Sequence, residues 1–495
     1  MEITVLQLQV YGYSSSWRGR SIRDISELYA RLQPKTTPAN IANRLTEILS
    51  TEMSPLVADA IEVCLKLSIR YLWVDALCIL QGSEAAARDD WARESQRMDM
   101  VFSQAYITIC AAASHSCQVS FLRKYSRIKT KVPISTAAIS QYRYPWLSDP
   151  QASYALSPYI CGRLSDCLRG PFGWDYLYSP WWSRGWVHQE VELSERLLIF
   201  GDNLVHFRCS KLQACDNKYM QIEPPTQPST DQDFAFSTRI SPLMSLEYQN
   251  DTERRLTLFR LFRNSIKSYS AKKLTYPNDA LPGVAGLARK VHELTGSSYH
   301  AGLWSESMHL DLIFIVGPDR GNLKKKGYVA PSWSWASSGR RVLYYPRAEQ
   351  SEVVLMEAQT TLKGENIFGE VESGILRLRT RMLPSSTALE KGVVDDRLRV
   401  VFQQDGKYFG KVYFDRKEDA QSCTCSSNPG GNHLAWVLIS SYYGNASGLV
   451  VQRLGTSRFY HRVGLFESSI CFVGQEQRGG TLMARDWPTE TIEVV

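Results

Sequence analysis

The chain has 495 residues, 44% of them hydrophobic and 22% charged, a globular composition that excludes a single small module and a mostly disordered chain and allows roughly three domains. Its formal charge is +7, but Lys and Arg are scattered. The longest cluster, Lys324 to Lys326, has the pattern of a solvated loop, so nothing in the charge points to nucleic acid.

The opening MEITVLQLQVYGY lacks the positive start and long apolar stretch of a signal peptide. Further on, Ser54-Pro55 is a helix start, cap then first-turn proline, and Val57, Ala60, Ile61, Cys64, Leu65 and Ser68 form one apolar stripe. The run YLWVDALCIL (71–80) predicts a strand covered on both faces, within which the carboxylate of Asp75 needs a reason. A second helix is expected through RDDWARESQRMDMVFSQ, with Trp91, Met98, Val101, Phe102 and Ala105 at helical spacing, and AYITICAAAS (105–114) is the next strand. Strand, helix, strand with short links predicts a parallel crossover and an α/β layer.

Residues 140–186 are rich in Tyr, Trp, Pro and Gly. They run into SRGWVHQE (183–190), followed by a hairpin of Leu197 to Phe200 and Leu204 to Cys209. Residues 216–240 are polar and proline-bearing, a surface loop or boundary. Helical segments are expected from about 250 to 297, and YVAPSWSWASSGR (328–340) closes that region. From about 345 short alternating strands dominate: EVVLMEAQTTL, GILRLRTRML, YFGKVYF, LAWVLISSYY and RFYHRVGLF. The expected organisation is an α/β domain with a parallel sheet over 1–225, a helical region over 226–344 and a β-rich C-terminal domain over 345–495. Eleven cysteines, an odd count, with Cys64, Cys78 and Cys110 in apolar segments, suit reduced thiols and a cytoplasmic protein. No segment reaches the about 18 apolar residues of a membrane span.

Four stretches together resemble the HET (heterokaryon incompatibility) domain family of filamentous fungi: DAIEVCLKLSIRYLWVDALCILQ, DDWARESQRMDMVFSQAYITICAAAS, RGWVHQEVELSERLLIFGDN and APSWSWAS, in the family's order. The resemblance covers roughly residues 1–340. It implies an α/β domain distantly similar to TIR domains and a role in self/non-self recognition ending in cell death. If the TIR similarity extends to chemistry, it further implies a carboxylate-bearing pocket that cleaves NAD. Two departures stand out. The usual first strand, close to Y-x-A-L-S-Y-x-W-G, is here ITVLQLQVYG, and the usually apolar position before Gln-Glu is His188.

The candidate catalytic residues are His188, Gln189, Glu190, Arg184 and Asp75. Asp75 is a carboxylate beside the carboxyl end of a parallel strand, where α/β sheets collect ligands; alternatively it caps a helix or pairs with Arg184. Glu190 can stabilise an oxocarbenium ion or act as a base, or it is a solvated neighbour of Glu192 and Glu195. His188 can polarise a carbonyl near neutral pH, or it is a satisfied structural group. Tyr176, Trp181, Trp182, Trp186, Trp333 and Trp335, with Trp174 and Tyr178, are the candidate lining of an apolar pocket; core packing is the competing expectation, strongest for Trp186, Trp333 and Trp335.

Phosphate loops, dinucleotide glycines and metalloprotease spacings are absent from the sequence, and Cys423-Thr-Cys425 with His433 lacks zinc-site spacing. No cofactor and no metal are therefore expected. The lost first motif, the added His188 and the aromatics together point to a cofactor-independent cyclase of Diels–Alder type acting on a small apolar terpenoid or polyketide in fungal secondary metabolism. The alternative is an incompatibility or innate-immunity effector, an NAD glycohydrolase acting through Glu190.

Overall fold

A computed structural model describes residues 3–7, 33–122 except 115, 176, 179–222 with gaps at 202–203, 211 and 216–220, 250–317, 327–344, and 350–495 with gaps at 384–388, 395–397, 405, 423–433, 443–444 and 469–483. Most of the aromatic stretch 140–186, Trp174 and Tyr178 with it, and most of the polar segment 216–240 lie outside these residues. The chain divides into two compact units, one of Met1–Ser183 and Leu193–Gln227, the other of Arg184–Glu192 and Pro228–Val495.

The first unit is built on a small sheet in the order β2-β1-β3-β4-β5-β6-β7. Its first four strands, β1 (Ile3–Gln7), β2 (Tyr71–Val74), β3 (Ile107–Cys110) and β4 (Leu197–Phe200), are parallel. Then β5 (Val205–Arg208), β6 (Gln213–Cys215) and β7 (Gln221–Ile222) run antiparallel, the first of these closing the expected hairpin. The α/β expectation over this region holds in its coarse form.

Short helices surround the sheet: α1 (Ile41–Thr46), α2 (Pro55–Lys66), α3 (Asp75–Cys78), α4 (Ala85–Ser95) and α5 (Met98–Gln104). Helix α2 starts as its sequence dictates: the Ser54 hydroxyl accepts the Val57 N–H, and Pro55 occupies the first turn, where its missing donor costs nothing. Its buried face is Leu56, Val57, Ala60, Val63 and Cys64, rotated from the expected stripe so that Leu65 is 72% exposed.

Two expectations fail locally. The apolar run 71–80 stops being a strand at Val74, because the Asp75 carboxylate accepts the Ala76 N–H at 2.6 Å and the Asp75 carbonyl accepts the Ile79 N–H, closing one helical turn. Strand β2 also lies at the end of the described sheet with Tyr71 43% exposed, so the run is not covered on both faces. The helix expected through 88–104 is broken between Ser95 and Met98, which leaves Trp91 42% exposed while Met98 and Phe102 are buried.

In the second unit, α6 (Gly185–Leu193) joins α7 (Asp251–Tyr269) and α8 (Ala285–Thr295), the last ended by Gly296 in the left-handed region, where glycine is favoured. Two small antiparallel pairs follow, β8 (Tyr299–His300) with β9 (Leu303–Trp304), and β10 (Phe314–Val316) with β11 (Val342–Tyr344).

The rest is one large, mainly antiparallel sheet. Its strands are β12 (Gln350–Ser351), β13 (Val353–Leu362), β14 (Val371–Arg381), β15 (Glu390–Val394), β16 (Arg399–Gln404), β17 (Lys407–Phe414), β18 (Leu434–Tyr442), β19 (Asn445–Arg453), β20 (Phe459–Ser468) and β21 (Thr489–Val494). Strand β20 serves two partners on one edge, β21 in parallel through Phe459 and Tyr460 and β17 antiparallel through Gly464 to Glu467. Strands β18 to β20 are apolar on both faces. Val437, Ile439, Leu449, Val451 and Leu465 join a core that includes Phe259 and Phe262 of α7 and Val291 of α8, while Trp436, Leu438, Val450 and Phe466 join a second core with Phe402, Phe409 and Val412. That double burial explains why these strands read as near-continuous apolar runs. It also means that the helices after residue 250 and the β-rich region share one core. Among the described residues no helix is long and apolar enough to cross a membrane.

Candidate functional site

The RGWVHQE stretch becomes the first turns of α6, and its glycine is there for space. A Cβ on Gly185 would lie 2.2 Å from Leu274 Cδ2, because the Gly185 N–H is bonded to the Lys273 carbonyl at 2.8 Å and Arg184 bridges Lys273. With the helix pinned there, its side chains enter the second unit in register. Trp186 donates its indole N–H to the Asp279 carboxylate at 3.0 Å. The His188 Nε2 and the Ser265 hydroxyl are 2.6 Å apart, and the Gln189 side-chain oxygen accepts the Gly286 N–H at 2.9 Å.

Tyr269 ties this helix to the SWSWAS segment. Its ring lies 5.5 Å from the His188 ring and 5.8 Å, edge-on, from Trp335, while its hydroxyl donates to the Asp279 carbonyl at 3.0 Å. Trp335 in turn donates to the Gly302 carbonyl, and Ser334 to that of Ala301. Gly302 has φ +101 and no room for a Cβ beside the Trp335 indole, so only glycine fits. The two motifs, some 145 residues apart in sequence, thus meet in one hub of ring contacts and hydrogen bonds centred on Tyr269.

Electrostatics in the hub follow from burial. His188 is 2% exposed, and desolvation, with the nearby Lys272 charge second, drives its pKa well below the usual imidazole value, so it is neutral at physiological pH. Burial of the Lys272 ammonium pulls that pKa down to about 7 against the opposing pull of Glu192 and Glu190, although the residue as a whole keeps intermediate exposure. Asp279 is raised by burial, its Trp186 bond working the other way. A neutral imidazole bonded to a serine beside a lysine of depressed pKa can exchange protons.

The remaining candidates separate. Tyr176 and Trp181 are fully buried in the first unit and Trp182 is half-buried. Their rings lie 5.9–6.5 Å from one another, and Tyr176 stands 5.3 Å from His206. Asp75 belongs to the same unit, at the start of α3. Trp333, 0% exposed, sits in the core of the second unit together with Trp335. Glu190 is buried on α6.

A cleft of about 770 Å³ opens in the second unit, and none of the residues named from the sequence lines it. Its walls come from the SWSWAS segment (Ser332, Ser337, Ser338), Arg340, β14, β20 and the Asp415-Arg416 turn after β17. Sequence reasoning missed these arginines because they are far apart in the chain and no motif marks them. It missed Ser265, Tyr269 and Asp279 because helical spacing marks a buried face and does not say which polar residue on it meets a distant motif. Among the described residues there is no cluster of metal-ligating side chains.

Residues 29–190 match the family model described as Heterokaryon incompatibility protein (HET). No curated protein and no solved structure matches the chain.

Proposed function

We propose that the chain is a heterokaryon-incompatibility-type effector in which the HET domain acts and the second unit senses. The observation that carries this reading is the HET match itself, which ends inside α6, a helix whose residues cluster with the second unit. A helix that belongs to the effector domain by sequence and to the sensing unit by packing is the element through which we propose that one biases the other.

The cyclase reading draws on indoles lining a cavity and on a polar group free to polarise a dienophile. Trp181, Trp333 and Tyr176 are packed at 0–1% exposure, and His188 is engaged with Ser265, which weakens that support. The NAD-cleaving form of the effector reading keeps Glu190 as its carboxylate. Its support is that Glu190 is a buried carboxylate, the type of group that stabilises a developing oxocarbenium ion.

Regulated expression of the full chain in a filamentous fungus, read as colony growth, tests the effector role, and nicotinamide release by the purified protein tests the chemistry. Growth arrest on induction is expected. Loss of both arrest and nicotinamide release in Glu190→Gln assigns the chemistry to that carboxylate, whereas arrest without any release removes NAD cleavage from the reading. Normal growth of the induced strain overturns the effector role.

A further inference from the structure

The cleft of the second unit combines three features that a packed core does not need. It has a volume of about 770 Å³, within the roughly 300–1,000 Å³ of small-molecule sites. One wall is apolar, formed by Tyr328, Val329, Ile375, Leu454 and Phe459. The other carries three arginines against one side-chain carboxylate: Arg340, Arg416 and Arg462 against Asp415.

These arginines differ in what they have left to give. Arg462 is spent: buried at 3% exposure, it donates to the Asp415 carboxylate at 2.9 Å and to the Leu312 and Phe314 carbonyls at 2.9 and 2.5 Å, and its guanidinium covers the Phe314 ring at 3.4 Å. Asp415 is thereby neutralised inside the protein. Arg340 commits one donor to the Asp415 carbonyl. The exposed Arg416 guanidinium makes no hydrogen bond or ion pair with any described residue. The serines are internally used, Ser332 donating to the Val495 carbonyl and Ser337 to that of Ser332. His461 is held below its usual value by burial, with Arg416 next, so at neutral pH it adds no charge.

An apolar lining with two cationic groups beside it, one of them making no hydrogen bond or ion pair with a described residue although its charge acts on Asp419 and His461, selects a ligand that is apolar at one end and anionic at the other. We infer that this cleft binds an anionic amphiphile, an acyl or aromatic body lying on Tyr328, Ile375 and Phe459 with its carboxylate or phosphate on Arg416 and Arg340. Binding is non-covalent. The inference stands apart from the effector reading, since the site exists whether or not the HET domain restricts growth.

The test titrates the full chain with dansyl-labelled undecanoic acid and, in parallel, its methyl ester, which differs only in the missing charge. The acid is expected to bind about tenfold more tightly than the ester, the worth of one charge-assisted contact. Arg416→Ala is expected to erase that preference while leaving the unfolding midpoint where it was. Ser373→Trp, an exposed change on the wall of the cleft, should weaken both ligands together. Inorganic phosphate at the same concentration should displace little of the acid; full displacement would reduce the cleft to a simple anion site and overturn the amphiphile. Equal affinity for acid and ester, or binding untouched by Ser373→Trp, sinks the proposal outright.

Discussion

The α6 hub and the Arg416 cleft belong to the same unit and use polar side chains in opposite ways. In the hub, Trp186, His188, Gln189, Ser265 and Tyr269 point into the interior and satisfy one another or nearby backbone. In the cleft, Arg462 and Asp415 build the wall while Arg416 makes no hydrogen bond or ion pair with a described residue. The densest cluster of chemically suggestive residues in the sequence is therefore the better packed of the two, because a buried polar group without a partner is costly and the hub removes that cost by pairing.

If that contrast is right, hub changes move stability and cleft changes do not. The largest effect is expected for Trp335→Ala, which removes the edge contact with Tyr269 and the bond to Gly302 and should cost about 3–5 kcal/mol, read as a lower denaturant midpoint. An unmoved midpoint there would break the comparison at once. Gln189→Leu comes next. It strands the buried Gly286 N–H and should cost about 1–3 kcal/mol, with Gln189→Glu recovering part of the loss by keeping an acceptor.

A pH series sharpens the same point. His188 has a folded pKa below its unfolded value of about 6.5, so the unfolded chain binds the extra proton and stability falls as pH drops below about 6.5. Lys272, pulled from 10.5 down to about 7, acts with the same sign in a higher window: the unfolded chain holds its proton longer, and stability rises as pH goes from about 7 to about 10.5. The charged and polar groups facing the pair are Glu190, Glu192, Ser265 and Tyr269. His188→Gln should flatten the acid limb, and an unchanged slope in that variant would mean the histidine is not the group responsible. The smallest effect belongs to Arg416→Ala, which should leave stability within about 0.5 kcal/mol while changing ligand preference.

Much of the fold was legible. Ser54-Pro55 announced α2, the Leu197–Phe200 hairpin was visible in its spacing, and five strands of the β-rich region stood out by their apolar and β-branched content. Strand β19, NASGLVVQR, was harder to see, because its polar start and its glycine read as a break between strands. There Gly448 is required, since a Cβ would lie 1.9 Å from the Val437 carbonyl oxygen. At the candidate site the sequence left His188 open between a reacting group and a satisfied structural one, and only the fold pairs it with Ser265.

What the sequence determined by itself was local: where helices start, which stretches pair as strands, and a resemblance to the HET family that the family model matches over residues 29–190, taking in the first two of its four stretches and the start of the third. Those are properties of neighbours along the chain, and backbone sterics and periodicity record them directly. Only the tertiary structure decided that α6 clusters with the second unit, that Tyr269 joins His188 to Trp335, and that Arg416 faces a cleft while Arg462 does not reach solvent. Hydrogen-bond satisfaction is settled between residues tens to hundreds of positions apart, so whether a polar side chain is spent on the fold or left for a ligand is written in no single stretch of the chain.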